Sequence, residues 1–294
     1  MHLLKAATLS VSNLDRSVAL YSGWLDYTTV EKGTVTDDLA AAWGAPAAAG
    51  RRTAVMAPAS GADIFIRFVE ADPVATFKPL TTYGWAAIEI CVRDVLSVAS
   101  RMERSPFKII GPPREIEGLD AIYPMQVMGP DGEVVYLTQI RSNLPAYRLP
   151  RAKSMIDHLF ILVLGCSDMR ASIKWFEDAV GLGLGRVMDI EYTMLAKAFG
   201  TPLDELHTIS TVIHDKDVFL ELDQLPDVAG PRPGPKDALP PGVAMATLKA
   251  PDFDAIAGDW AAPPAARDGA IYGGGRSGTL IAPDGTRVEI VETH

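Results

Sequence analysis

Two glutamates in the second half of this 294-residue chain, Glu221 and Glu289, stand where the first half has Arg67 and Tyr136. The correspondence rests on an internal repeat. Asp63 to Phe68 (DIFIRF) lies over Asp217 to Leu222 (DVFLEL), and Pro130-Asp131-Gly132 lies over Pro283-Asp284-Gly285, each half a chain away. A carboxylate held in an apolar strand can take up and release a proton, or act as an oxygen ligand to a hard cation. The chemistry is therefore expected in the second copy. Repetition of this kind has to be recognised before local structure is assigned.

The runs around these acids read as strands. Side chains alternate along a strand, so one backed by helices sends one parity into the core and the other into a cavity. In Val218 to Leu222 the apolar parity is Val218, Leu220 and Leu222, which leaves Phe219 and Glu221 opposite. In Thr286 to Val291, Val288 and Ile290 take the helix side and Arg287, Glu289 and Val291 the other. In Ile156 to Val163, Leu159, Ile161 and Val163 pair off against His158, Phe160 and Leu162. By parity, His158, Glu221 and Glu289 share one type of face.

Each half opens with an alternating run, Leu4 to Val11 and Ile156 to Val163, followed by a helical pattern with N-cap candidates Asn13 and Ser167. In the second half, helical spacing runs from Met169 to Val180 and stops at Gly181, a helix-end signal. A strand over Gly185 to Tyr192, a short helix around Met194 to Phe199 and a hairpin complete the unit. The hairpin joins His207 to Ile213 with Val218 to Leu222 through Asp215-Lys216-Asp217. Trp85 to Val92, Val95 to Met102 and the hairpin Gln126 to Ile140, turned at Gly129 to Gly132, repeat that order. So do Val243 to Leu248, Phe253 to Trp260 and Gly278 to Val291. Arg141 to Ser154 reads as the linker between halves and Leu225 to Pro241 as a Pro/Gly-rich connection.

The bulk numbers narrow the class. With 48% hydrophobic residues the chain can bury a sizeable core, and its length suits two domains, 1–145 and 155–294. A formal charge of −10 opposes a nucleic-acid or anionic-membrane partner, which would need a clustered basic patch. The two cysteines, Cys91 and Cys166, lie in apolar runs, so neither a disulfide framework nor a thiolate metal cluster is expected. No apolar stretch reaches the roughly 18 to 20 residues that span a bilayer, and no secretory leader is evident, so a cytoplasmic protein is expected.

Four strand-helix-three-strand units, with openings such as TLSVSNLDRSVALY and DHLFILVLGCSDMRASIKWF and closings such as GPDGEVVYL and APDGTRVEI, resemble the vicinal oxygen chelate superfamily. That group includes glyoxalase I, methylmalonyl-CoA epimerase, bleomycin-resistance proteins and type I extradiol dioxygenases. The resemblance covers nearly the whole chain. It implies an α+β fold of tandem βαβββ modules pairing into two half-open barrels, with a divalent metal held by the first and last strands of each module. Carried over position by position, it offers His158, Glu221, Met245 and Glu289 in the second half and Ala6, Arg67, Ala87 and Tyr136 in the first. The implied metal ligands are His158, Glu221 and Glu289, and the N-terminal domain is implied to carry a degenerate site. One imidazole and two carboxylates suit Zn, Mn, Fe, Co or Ni, whereas a Met245 thioether is soft and shapes the pocket instead.

The activity so implied is that of a metal-dependent lyase or isomerase acting on a small oxygenated, largely apolar molecule. Glu221 or Glu289 would serve as the base beside a carbonyl. Phe160, Leu162, Met245 and Val291 would make the pocket apolar, and Arg287 could hold a substrate carboxylate through its fork of donors. An extradiol dioxygenase is the enzyme alternative, although its second histidine should stand at Met245. A non-catalytic binding protein of the resistance type is the alternative outside enzymes. Tyr272 with Gly273-Gly274-Gly275 could form a lip over the cavity, and Tyr136, Trp85 and Arg67 could line a vestigial pocket. His207 and His214 read as structural or solvated. The expected partner is a small-molecule substrate, with a homodimer possible.

Overall fold

The computed structural model describes residues 2–250 and 252–293. Four modules follow one another. The first holds β1 (Leu4–Val11), α1 (Leu14–Trp24), β2 (Tyr27–Thr34), α2 (Asp37–Ala42), β3 (Arg52–Pro58) and β4 (Phe65–Glu70). The second holds β5 (Gly84–Val92), α3 (Val95–Met102), β6 (Lys108–Gly111), β7 (Ile122–Met128) and β8 (Val134–Ile140). The third holds β9 (Ile156–Cys166), α4 (Met169–Val180), β10 (Gly183–Glu191), α5 (Thr193–Phe199), β11 (Leu206–His214) and β12 (Asp217–Gln224). The fourth holds β13 (Gly242–Ala250), β14 (Ala265–Ala266), β15 (Arg276–Ala282) and β16 (Thr286–Glu292).

Local chemistry sets the helix ends. The Asn13 side chain accepts from the Arg16 amide and starts α1. At α4 the cap is Asp168, which accepts from the Ala171 amide, and not the expected Ser167; Ser167 donates to Asp284 instead. Gly181 closes α4 in the left-handed conformation. The fourth module lacks the helix expected over Phe253 to Trp260. Only the single turn Phe253–Ala255 forms, because Ile256 turns extended and Gly258 takes φ +137° beside the Leu280 side chain.

The strands make two eight-stranded sheets, ordered β14-β15-β16-β13-β1-β4-β3-β2 and β10-β11-β12-β9-β5-β8-β7-β6. Modules one and four thus form an outer sheet, and modules two and three an inner one. Each half, 1–145 and 155–294, therefore contributes strands to both sheets, and neither closes a sheet on its own. Within each module the first strand runs parallel to the last, leaving the other edge of the first strand free. That edge is used antiparallel, β1 with β13 and β5 with β9. All four modules offer the same kind of edge, so the alternation pattern cannot say which two edges join.

Two bulges reset the facing of side chains. In β9, Glu89 of β5 pairs with Ile161 and Ile90 with Leu159, which makes Phe160 the extra residue. In β12, Val212 of β11 pairs with Leu220 and Ile213 with Val218, which makes Phe219 the extra residue. Leu159, Leu162 and Phe219 consequently join the helix-side core, while Phe160, Ile161, Val163 and Val218 line the concave side of the inner sheet. The expected strict alternation over both strands is corrected accordingly.

The helix-side residues of both sheets merge into one continuous core that includes Leu9, Phe68, Ile88, Leu137, Phe176 and Ile290. Trp85 ties the sheets together, its indole N–H donating to the Arg287 carbonyl at 2.8 Å. Cys91 and Cys166 are buried free thiols. No helix of the described residues is long and apolar enough to cross a membrane.

Candidate functional site

The concave face of the outer sheet is filled by an ion pair. Arg67 on β4 and Glu289 on β16 meet at 2.7 Å, with side chains 3% and 1% exposed. Glu289 also accepts from Trp43, Thr247 and Tyr272 at 2.7 to 2.9 Å, and Arg67 donates to Thr8 and Tyr272. The guanidinium lies 4.4 Å from the centre of the Trp43 ring. Burial alone would raise the Glu289 pKa, but the Arg67 charge and the hydrogen bonds from Thr247 and Trp43 more than offset it and leave the carboxyl below its ordinary range. Arg287 donates to the carbonyls of Trp43 and Gly44, pinning the segment after α2 across this face. Every charge here has its partner within the chain.

The inner sheet is different. Its concave side bounds a cavity of about 580 Å³ whose walls include Glu89, Tyr136, Phe160, Ile161, Tyr192 and Glu221. Glu89 on β5 stands opposite Tyr136 on β8, and Glu221 on β12 opposite Val163 on β9. Glu89 accepts from Thr138, Glu221 accepts from the Tyr192 hydroxyl at 3.2 Å, and the hydroxyls of Tyr136 and Tyr192 bond to each other. Apolar side chains of Met188, Ile190, Leu203 and Ile209 supply much of the remaining wall. At the rim, exposed Arg114 is already paired with Glu191 at 2.6 Å.

Burial dominates the acid–base behaviour of this cavity. It pushes the Glu221 carboxyl up to about 7, against the downward pull of hydrogen bonds from Tyr192 and Asp223. Burial, reinforced by the Glu221 charge, pushes Glu89 up to about 8 despite its Thr138 hydrogen bond. Burial and the same charge raise Asp223 well above its usual range. Desolvation also keeps the Tyr136 and Tyr192 phenols neutral donors. A carboxyl that ionises near pH 7 can act as either acid or base.

The expected triad does not assemble. Glu221 is in the cavity, Glu289 is locked in the outer sheet, and His158 at the start of β9 bonds to Asp157 at 2.9 Å. The module pairing puts β12 and β16 in separate sheets. Register shows a second reason: the residues beside Glu221 and Glu289 on the first strands are Val163 and Thr247, not His158 and Met245. Among the expected pocket residues, Phe160 lines the cavity. Leu162 packs in the helix-side core, Met245 beside Trp43 and Ala244, and Val291 beside Ala6, Phe65 and Tyr272. Arg287 is used on backbone carbonyls and is not free to clamp a carboxylate. Tyr272 forms no lip over the cavity, since its hydroxyl bonds to Arg67 and Glu289 in the outer sheet. Sequence reasoning misses Glu89, Asp223 and Tyr192, although a lone acid inside the apolar run Trp85 to Val92 is a signal that could have found Glu89.

The donor set expected for a metal, His158 with Glu221 and Glu289, is not brought together. In the outer sheet a guanidinium stands against the carboxylate where a cation would sit. The inner cavity offers carboxyls and phenols, and no histidine lines it. Among the described residues, no group of three or more His, Cys, Asp or Glu is placed to hold an ion.

No family profile matches the chain. No curated protein matches it in sequence. Solved structures do match in shape. Glyoxalase I from Zea mays superposes with a TM-score of 0.65 over 98% of this chain and 92% of that one, at 19% sequence identity. A Bacillus subtilis protein proposed to be a dioxygenase superposes with a TM-score of 0.61 over 99% and 85%, at 12% identity. The chain has the vicinal oxygen chelate fold in its tandem, four-module form.

Proposed function

We propose that the chain is an isomerase- or lyase-type enzyme that moves a proton beside the carbonyl of a small, largely apolar, oxygenated molecule bound in the inner cavity. Glu221 is the proton carrier. The observation that carries this reading is a buried carboxyl, raised to about 7, on the wall of an otherwise mostly apolar cavity. Near neutrality such a group is divided between its two forms, which suits both removal and return of a proton. Tyr192, donating to Glu221, holds the carboxyl in place, and the neutral Tyr136 phenol, on turning its O–H from Tyr192 to the substrate, gives a donor for a carbonyl oxygen on which negative charge develops. The mostly apolar walls exclude water and favour an aliphatic or aromatic body.

Among the described residues no three His, Cys, Asp or Glu are grouped to hold an ion, so this reading routes no step through a metal, and the dioxygenase alternative lacks its histidine pair in this cavity. The test is deuterium uptake: a panel of aryl ketones and α-hydroxy ketones is incubated with the protein in heavy water and followed by proton NMR. Exchange next to the carbonyl should occur and should be lost in Glu221→Gln, while ketone binding survives. Binding without exchange in the native protein would replace this reading with that of a binding protein.

A further inference from the structure

The outer sheet shows how this architecture handles a cation. It places the Arg67 guanidinium between Glu289 and two aromatic rings, 4.4 Å from the Trp43 centre and 5.9 Å from the Tyr272 centre. In the inner sheet, Glu221 takes the place of Arg67 in the repeat and Tyr136 the place of Glu289. The acids and the aromatic rings remain, but the chain supplies no cation to them. None of the ion pairs among the described residues includes Glu89 or Glu221. Arg114 at the rim is spent on Glu191, and Lys197 is exposed. The space left is about 580 Å³, enough for a small organic molecule.

We propose that the molecule taken by the inner cavity carries one protonated nitrogen on an apolar body, its ammonium seated between Glu89 and Glu221 and facing the Tyr136 and Tyr192 rings. The inference rests on the reading of this cavity as the working site and names the class of its ligand. An ammonium would pair with carboxyls that otherwise lack a counter-charge, through charge-assisted hydrogen bonds and contact with aromatic faces. An anion would meet the acids of this wall, since the lining's cations are Arg114, paired with Glu191, and Lys197, which is exposed. A neutral molecule would leave the acids as they are. Glu89 pairs with the ammonium, and Glu221 stays available for the proton.

The test uses four probes of similar size, 2-phenylethylamine, 2-phenylethanol, phenylacetate and acetophenone, titrated into the whole protein by calorimetry and NMR. The amine should bind roughly tenfold to a hundredfold more tightly than the alcohol, the scale of a hydrogen bond to a charged group, and phenylacetate should not compete. Glu89→Gln, which keeps the shape of the side chain, should abolish the preference for the amine and retain the alcohol. Acetophenone or the alcohol binding as tightly as the amine, or a preference that survives Glu89→Gln, would overturn this inference and leave the proton-transfer reading standing. No probe shifting any cavity resonance would overturn both.

Discussion

At the last-strand positions of the outer sheet stand Arg67 and Glu289; at those of the inner sheet stand Glu221 and Tyr136. Two exchanges in a repeated unit, Arg67 against Glu221 and Glu289 against Tyr136, accompany the difference between a closed face and an open one. With both charges supplied by the chain, the outer face collapses on itself, and Trp43 and Tyr272 pack over the pair. With only acids supplied, the inner face keeps a cavity and holds its carboxyls at raised pKa. The same fold therefore serves as a structural brace on one side and as a candidate reaction vessel on the other.

The sharpest way to break this comparison is to remove half of the brace. Arg67→Met leaves Glu289 as an unpaired buried charge and should lower stability by about 3–5 kcal/mol, whereas Arg67→Met with Glu289→Leu should recover most of that loss. Urea unfolding of the single and double variants measures it; equal losses in both would mean that the pair is not what closes the face. The next effect is catalytic. Glu221→Gln should reduce proton exchange by about 10²–10⁴-fold without lowering stability, because it removes a carboxyl that burial disfavours.

The two faces should also titrate in opposite senses. Glu89 and Glu221 have folded pKa values of about 8 and 7, above the unfolded value of 4.5, so their contribution is fully present below about pH 4.5 and is lost as pH rises through 7 and 8. Glu289 is depressed, so its contribution is present above its unfolded value and is lost as the medium turns acid enough to protonate it. Stability against pH should fall across the neutral range, and Glu89→Gln with Glu221→Gln should flatten that fall. An unchanged slope in that double variant would assign it elsewhere. Smallest of all, Trp85→Phe removes one hydrogen bond between the sheets and part of a buried ring, and should cost about 1–3 kcal/mol in the same unfolding measurement.

Much of this architecture is legible in the residues. The order of the modules, the helix from Val95 to Met102 and the hairpin turned at Asp215 all follow from alternation, caps and turn chemistry. The site is only partly legible, for two physical reasons. Which module edges join is a tertiary choice among equivalent edges, and it separates Glu221 from Glu289. Single-residue bulges at Phe160 and Phe219 then reverse facings that strict alternation assigns, although Glu221, beyond the bulge in its strand, keeps its cavity side. Glu89 escapes a comparison of the two halves because that comparison brings out acids gained in the second, and this acid lies in the first.

The module pairing is nested like a pair of brackets, two with three inside one with four. A growing polypeptide can therefore complete the cavity-bearing sheet, residues 84–224, from neighbouring stretches while β1 still waits for β13 and β16. The outer bracket closes around a finished centre, and its long-range strand pairing makes it the slower step of folding.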